Sequence, residues 1–373
     1  MKVIILINSL GAGGAERSMV EYAKFLQDRD DIMVKFVCLA HKKIGLEAEV
    51  KNYGIETIFY ESKSGFFAKL KFLNTVINSE NPDIIHSVLA ESNILMRFSR
   101  LFVRKGKVIQ SLVNTPYSEE RKKDSNLSWQ KFQVMKALDK WSARLSPNLF
   151  YHAITNEVLQ HYRPLYNIKD NFEVIYRGRD SNPYLNEVTK NTRFTIINSG
   201  RQEFAKGQID ILKALVYLEE KYNITNIHLQ ILGRPGSYSS RLMGYIKENN
   251  INDRVELFGF VDDVEKRLAK ANVFVFPSYY EGLGGALIEA FSAKLPCAVS
   301  NIAVLREVVG SEDGALYSSP GDHKTLANNI YELYKTESLR EKLGSYSLSR
   351  FQDAFKLNSI NFQMLKMYHN IEK

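Results

Sequence analysis

Short runs of β-branched and aromatic residues alternate along the chain with longer segments whose apolar positions recur at helical spacing. The runs KVIILI, IMVKFVCLA, ETIFY, DIIHSV and KVIQSLV, then FYHAIT and FEVIY, occupy the first half. Nearly continuous apolar runs belong to strands buried on both faces, and their alternation with helices predicts a parallel α/β sheet. Around 179–192 the pattern breaks, with Asn182, Pro183 and Asn186 supplying loop chemistry. It restarts with RFTIINSG, NIHLQILG, RVELFGF, NVFVFPS and LPCAVS. The expectation is two doubly wound domains, 1–185 and 186–354, with a C-terminal helix at 355–373 packing back on the first.

Composition agrees with this reading. The 373 residues are 45% hydrophobic and 25% charged, which excludes a disordered, collagen-like or low-complexity chain, and the length suits two domains with a cleft available between them. Cys38 and Cys297 lie in apolar strand-like runs, with neither disulfide nor metal-ligand spacing, and read as reduced buried thiols. The N-terminal apolar run stops at Asn8 and enters glycines, so it reads as a first strand and not a leader. With no long apolar stretch, the chain is expected to be cytoplasmic. Residues 1–180 hold 27 Lys and Arg against 20 Asp and Glu, so +7 of the net +8 lies in the first half. That half is expected to face something anionic.

In open α/β sheets ligands bind beyond the carboxyl ends of strands, where helix N-termini offer free N–H groups. Four loops qualify. NSLGAGGAERS follows the first strand, with Gly13 and Gly14 allowing close backbone approach, though its spacing is not the dinucleotide fingerprint. INSGRQEFAKGQID places Arg201 and Lys206 just before a helix, a cation pair suited to a pyrophosphate. FPSYYEGLGGALIEA brackets a glycine turn, Gly282 to Gly285, with Glu281 and Glu289. Carboxylates accept bonds from sugar hydroxyls while glycine N–H groups donate to phosphate, so a sugar joined to a nucleotide would use both. VELFGFVDDVEKRL turns at Gly259 before a helix expected to be capped by Asp262 or Asp263, and main-chain groups there can hold a base.

These strings, in order, resemble the retaining glycosyltransferases of the GT-B fold, family 4. EGLGGALIEA resembles the family's E-x7-E signature, GRQEFAKG its G-R-x-x-x-x-K-G loop and GAGGAERS its N-terminal glycine loop; ILG, FGFVDD and VIYRGRD fall in register. The resemblance implies two Rossmann-like domains facing a central cleft. It implies transfer of a sugar from a nucleotide diphosphate sugar, a UDP-sugar foremost, with retention of configuration. That donor is a substrate, and neither cofactor nor metal is implied. Arg201, Lys206 and Glu281 would be catalytic. Gly13, Gly14, Gly233, Phe260, Val261, Gly282, Leu283, Gly284, Gly285 and Glu289 would bind the donor, Glu289 at the ribose.

The chain departs from the family at two places. A histidine common at the end of the fifth strand is replaced by Val113 and Asn114, so the sugar contact is either made by Asn114 or missing; His86 is a candidate substitute, against the reading of a structural strand-end histidine. The usual asparagine-glycine before the interdomain linker reads Arg177, Gly178, Arg179, whose guanidinium groups suit an anionic acceptor. The acceptor is expected to be a saccharide or lipid-linked saccharide of a surface polysaccharide or glycoconjugate. KSGFFAKLKFLNTVI (Lys63 to Ile77) and MRFSRLFVRKGK (96–107) could lie on an anionic membrane at the inner face, or pack on the sheet. RKKDSNLSWQKFQ (121–133) reads as an acceptor-facing loop. No motif supports nucleic-acid binding. A nucleotide-sugar binding protein without catalysis, an epimerase and a phosphorylase remain the alternatives.

Overall fold

β1 (Lys2–Ile7), β2 (Met33–Cys38), β3 (Glu56–Phe59), β4 (Ile84–Val88), β5 (Lys107–Leu112), β6 (Leu149–Ala153) and β7 (Phe172–Val174) form one parallel sheet in the order β3-β2-β1-β4-β5-β6-β7. In the central register Val3 lies opposite Val34 on one side and Ile84 on the other. Val3 to Ile7 are all inaccessible to solvent, because helices cover both faces of the sheet. That burial explains why the run carries no polar alternation.

A second parallel sheet comprises β8 (Thr195–Ser199), β9 (His228–Leu232), β10 (Val255–Leu257), β11 (Val273–Phe276), β12 (Cys297–Ser300) and β13 (Leu316–Ser318), in the order β10-β9-β8-β11-β12-β13. The sequence reading omits β13. Three residues inside GALYSS carry too little pattern to register, and only the pairing of Leu316 with Ala298 reveals the strand. The fold is thus two Rossmann-like α/β units. This computed structural model describes residues 1–42, 45–62, 65–123, 128–146 and 148–372.

The first compact unit comprises Met1–Tyr117, Asn126–Gly178 and Asn358–Lys373; the second begins at Arg179, ends at Leu357 and also takes in the segment starting at Ser118. The closing helix Leu357–Glu372 places Ile360, Met364, Met367 and Tyr368 in the same core as Val3, Ile5 and Tyr22. Both cysteines are buried free thiols whose pKa burial pushes up. Among the described residues no helix is long and apolar enough to cross a membrane.

Two buried polar assemblies brace the first unit. Arg97, 1% exposed, donates through Nη1 to Asp139 Oδ1 (2.7 Å) and through Nε to Gln110 Oε1 (2.8 Å), with its guanidinium 4.4 Å from the Tyr166 ring. Asp139 Oδ2 accepts from Tyr117 (2.8 Å) and Tyr166 (2.7 Å), so the charge pair is surrounded by partners. In the second assembly His86 lies between the Tyr368 hydroxyl (2.6 Å) and Ser111 Oγ (2.7 Å), and Ser111 meets His152 Nδ1 at 2.8 Å. The His152 Nε2 reaches the Ile175 carbonyl at 2.9 Å.

This corrects the reading of His86 as a contact for the transferred sugar. It stands in mid-strand with no exposed surface, and both ring nitrogens are engaged within the core. Burial lowers its pKa well below the usual value, and lowers that of His152 to about 4; the Arg177 charge acts in the same direction on both.

Since the unfolded state binds protons near pH 6.5 and the buried rings do not, stability is full above that pH and falls as pH drops toward 4. Urea midpoints measured at pH 7 and pH 5 should differ, by at most about 1.4 kcal/mol per pH unit and per ring. His152→Asn should flatten the dependence; a midpoint equal at both pH values contradicts the assignment.

Candidate functional site

The second sheet reverses its winding between β8 and β11, and the loops that leave these two strands carry the predicted chemistry. A doubly wound sheet opens its ligand crevice at that switch point, since the neighbouring crossovers run in opposite directions. After β8 the chain passes Gly200 and Arg201 into the short 3-10 turn Phe204–Lys206, then turns at Gly207 (φ +60°) into the helix Gln208–Tyr222. After β11 it passes Ser278 to Glu281 and turns at Gly284 (φ +83°) into the helix Gly285–Ser292. Left-handed φ values at both turns suit glycine.

These loops lock together. Lys206 Nζ donates to Glu281 Oε1 at 2.6 Å, with side-chain exposures of 21% and 11%. The same carboxylate oxygen accepts from the fully buried Ser278 hydroxyl at 3.0 Å. Tyr279 N donates to the Ala205 carbonyl (2.8 Å), and the Tyr279 hydroxyl donates to Asp210 Oδ2 (2.9 Å). Burial raises the Asp210 pKa, while that hydroxyl bond holds it down. The lysine stem crosses Gly200, and a Cβ on Gly207 would strike the Pro277 carbonyl. Ser278, Tyr279 and Asp210 lie inside the loops the sequence singles out, but the sequence assigns them no role. A hydroxyl or carboxylate that acts by holding a neighbouring loop carries no spacing signal.

The Gly285–Ser292 helix presents its first turn beside the same loop, with Leu283 buried beneath. Glu289 on this helix accepts from Arg179 Nε at 2.8 Å, and the Arg179 guanidinium lies against Gly285, where a Cβ would collide with it. Arg179 was expected to meet an acceptor. It falls in the second unit, where its charge pairs with Glu289 beside the glycine turn. Arg121, also counted with this unit, stacks on Tyr280 with its guanidinium 4.6 Å from the ring.

Arg201 is 68% exposed along its side chain and paired with Glu203 at 2.9 Å. Gly233 (φ +136°) abuts the Gly200 carbonyl and donates to the Gly259 carbonyl at 3.1 Å, which ties the β9 loop to those after β8 and β10. Phe260 is exposed with Arg234 stacked 4.8 Å from its ring, and Val261 follows on the same turn. Asp263, one of the two expected caps, is the N-cap residue of the next helix but makes no side-chain cap bond: its Oδ1 accepts from Arg267 (2.7 Å).

In the first unit, Gly13 is the N-cap and Gly14 the first residue of the helix Gly14–Gln27, with the Glu16 carboxylate over Gly13 complementing the helix start. Asn114 is half-buried beyond β5, and Arg177 is half-buried near His86 and His152. Residues 119–123 and 129–133 are helical, which corrects the reading of 121–133 as one loop; 124–127 lie outside the described residues, as does Lys63. Among the described residues no group of three His, Cys, Asp or Glu could hold a metal ion.

The switch point of this sheet thus brings a lysine–glutamate clasp and a glycine-led helix start side by side. Residues 12–182 match the Glycosyltransferase Family 4 model and residues 185–350 match Glycosyl transferases group 1. The chain belongs to the GT-B glycosyltransferases. It is 27% identical over 376 residues to the capsular polysaccharide biosynthesis glycosyltransferase CapH of Staphylococcus aureus, covering 99% of this chain and 98% of that one. To the N-acetylgalactosamine-N,N'-diacetylbacillosaminyl-diphospho-undecaprenol 4-alpha-N-acetylgalactosaminyltransferase of Campylobacter jejuni it is 24% identical, covering 91% and 92%. The crystal structure of HepE from Anabaena in complex with UDP has the same fold, with a TM-score of 0.83 at 17% identity over 99% of this chain and 100% of that one.

Gly207→Ala should separate the two loops, since a Cβ there meets backbone at a left-handed φ. A destabilisation of about 1–3 kcal/mol in chemical denaturation is expected. Gly259→Ala, with open space around its Cβ and no left-handed φ, should change stability little. Equal effects of the two would contradict the close approach.

Proposed function

We propose that this chain transfers a glycosyl group, with retention of anomeric configuration and without a metal, from a UDP-sugar to a hydroxyl of a lipid-linked saccharide. The Lys206–Glu281 pair carries this reading. It sets a cation and a carboxylate side by side at the switch point, one group for an anionic leaving group and one for sugar hydroxyls. The N–H groups of Leu283 to Gly285 supply further donors at the start of a helix.

In the proposed reaction the bond from the anomeric carbon to the diphosphate oxygen breaks and the acceptor oxygen bonds to the same face. The acceptor proton goes to the departing phosphate. Negative charge grows on the leaving diphosphate as the bond lengthens, and Lys206, Arg201 and the helix N-terminus meet it in place of a metal. Glu281 holds the donor hydroxyls and Glu289 the ribose diol, with Arg179 keeping Glu289 aimed.

Supporting the choice of donor, the HepE structure holds UDP. Supporting the acceptor class, the Campylobacter relative is named for a diphospho-undecaprenol substrate. Polysaccharide synthesis is the process named for the Staphylococcus relative. Such a donor is a cytoplasmic metabolite, so we place the reaction at the cytoplasmic face of the membrane.

UDP at 100 times its dissociation constant should stabilise the protein by about 2.7 kcal/mol, read as a shift of the melting temperature. Lys206→Ala should lower kcat by about 10²–10³, the scale of losing one donor to developing charge. Activity should survive EDTA. A panel of nucleotides none of which shifts melting, full activity in Lys206→Ala, or loss of turnover to EDTA restored by a divalent cation would each overturn the corresponding part of the proposal.

A further inference from the structure

Lys190 lines a cavity of about 330 Å³ in the second unit, together with Lys294, Arg340, Glu337 and Glu341. The residue is exposed on the stretch that leads into β8, yet its ammonium is turned onto backbone: Nζ donates to the Ala271 carbonyl at 2.6 Å. The charge that acts on it is that of Lys294, of the same sign. A cation is thus held against one neutral acceptor and beside a second cation.

Its place is fixed from both sides. Asn182 Nδ2 donates to the Glu265 carbonyl (2.8 Å), on the helix Val264–Lys270. Asn191 donates through its backbone N–H to the Lys270 carbonyl (3.0 Å) and through Nδ2 to Thr195 Oγ1 (3.1 Å). The bond to Ala271 favours the charged form of Lys190. Partial burial of the ammonium, with the Lys294 charge added, outweighs it and pushes the pKa down to about 8. A lysine in that range holds free amine at neutral pH and is a nucleophile.

The other cations of the cavity are free to meet an anion. Arg340 is braced by its Nη1 bonds to the Leu333 and Tyr334 carbonyls (2.7 and 3.0 Å), with its guanidinium 5.5 Å from the Phe194 ring. Lys294 is exposed where the chain leaves the helix Gly285–Ser292. Glu337 and Glu341 are exposed on the same cavity, so cations exceed acids by three to two. A reagent that brings both an electrophilic carbon and a phosphate matches a nucleophilic amine set among cations.

We propose that Lys190 is a site of covalent acylation by a small acyl phosphate, whose phosphate is received by Lys294 and Arg340. The Nζ lone pair attacks the acyl carbon, a C–N bond forms, and the bond from that carbon to the phosphate oxygen breaks. The phosphate leaves with the bonding pair, and the amine proton goes to water. The product is a neutral amide, which removes one cation from beside Lys294. The modification lies apart from the Lys206–Glu281 clasp and does not rest on the glycosyl transfer proposed above.

The full chain incubated with acetyl phosphate at pH 7.5, then digested for peptide mass spectrometry, tests this. At that pH an amine titrating near 8 holds on the order of a hundredfold more free base than an ordinary lysine, and its weaker basicity returns part of the gain. Lys190 should acetylate on the order of tenfold faster than the exposed Lys51 and Lys247. Its rate should level off above about pH 8. Lys294→Gln, on an exposed side chain, should slow labelling of Lys190 several times more with acetyl phosphate than with acetic anhydride, which brings no phosphate.

Acetylation of Lys190 at the pace of Lys51 and Lys247 overturns the proposal. So does a rate at Lys190 that still climbs steeply with pH at about pH 10. Equal slowing of both reagents by Lys294→Gln also overturns it, because the cavity would then not be seating a phosphate.

Discussion

The ion pair from Lys206 to Glu281 is the constraint on which the second unit's chemistry depends. Each charge is largely buried, and each would be costly to bury alone. They come from loops leaving different strands, so the pair holds two strand ends in register and leaves charge poised where a doubly wound sheet opens. The glycines at 200, 207 and 233 follow from the same demand. A lysine stem must cross one of them, and backbone carbonyls come too close to the other two for a side chain.

Arg179 and Glu289 repeat the arrangement at the glycine-led helix, again with a cation beside a carboxylate. A site rich in charges of both signs can be stable when empty and still offer an anion its partners. In the proposed transfer the carboxylates would neutralise the cations until a diphosphate arrives, and the oriented N–H groups of the helix start would need no rearrangement to accept it.

Much of this was legible in the chain. Fully buried strands leave uninterrupted apolar runs, and strand-end loops with glycine, lysine and glutamate leave motifs, so twelve of the thirteen strands among the described residues and the Lys206 and Glu281 loops could be read directly. What was not legible has physical reasons. β13 is three residues long. His86 looked like a strand-end ligand because neither Tyr368, 282 residues away, nor Ser111 announces itself as its partner. Nothing around Arg179 in the sequence signals its partner Glu289, 110 residues on. All three depend on long-range pairing, which periodicity cannot register.

The most direct test of the central claim is a crystal structure of the chain with UDP bound. The account expects the diphosphate within hydrogen-bonding distance of Lys206 Nζ and of the N–H groups at Gly284 and Gly285, with the ribose on Glu289. UDP seated away from these loops, with Lys206 paired to Glu281 alone, would contradict it.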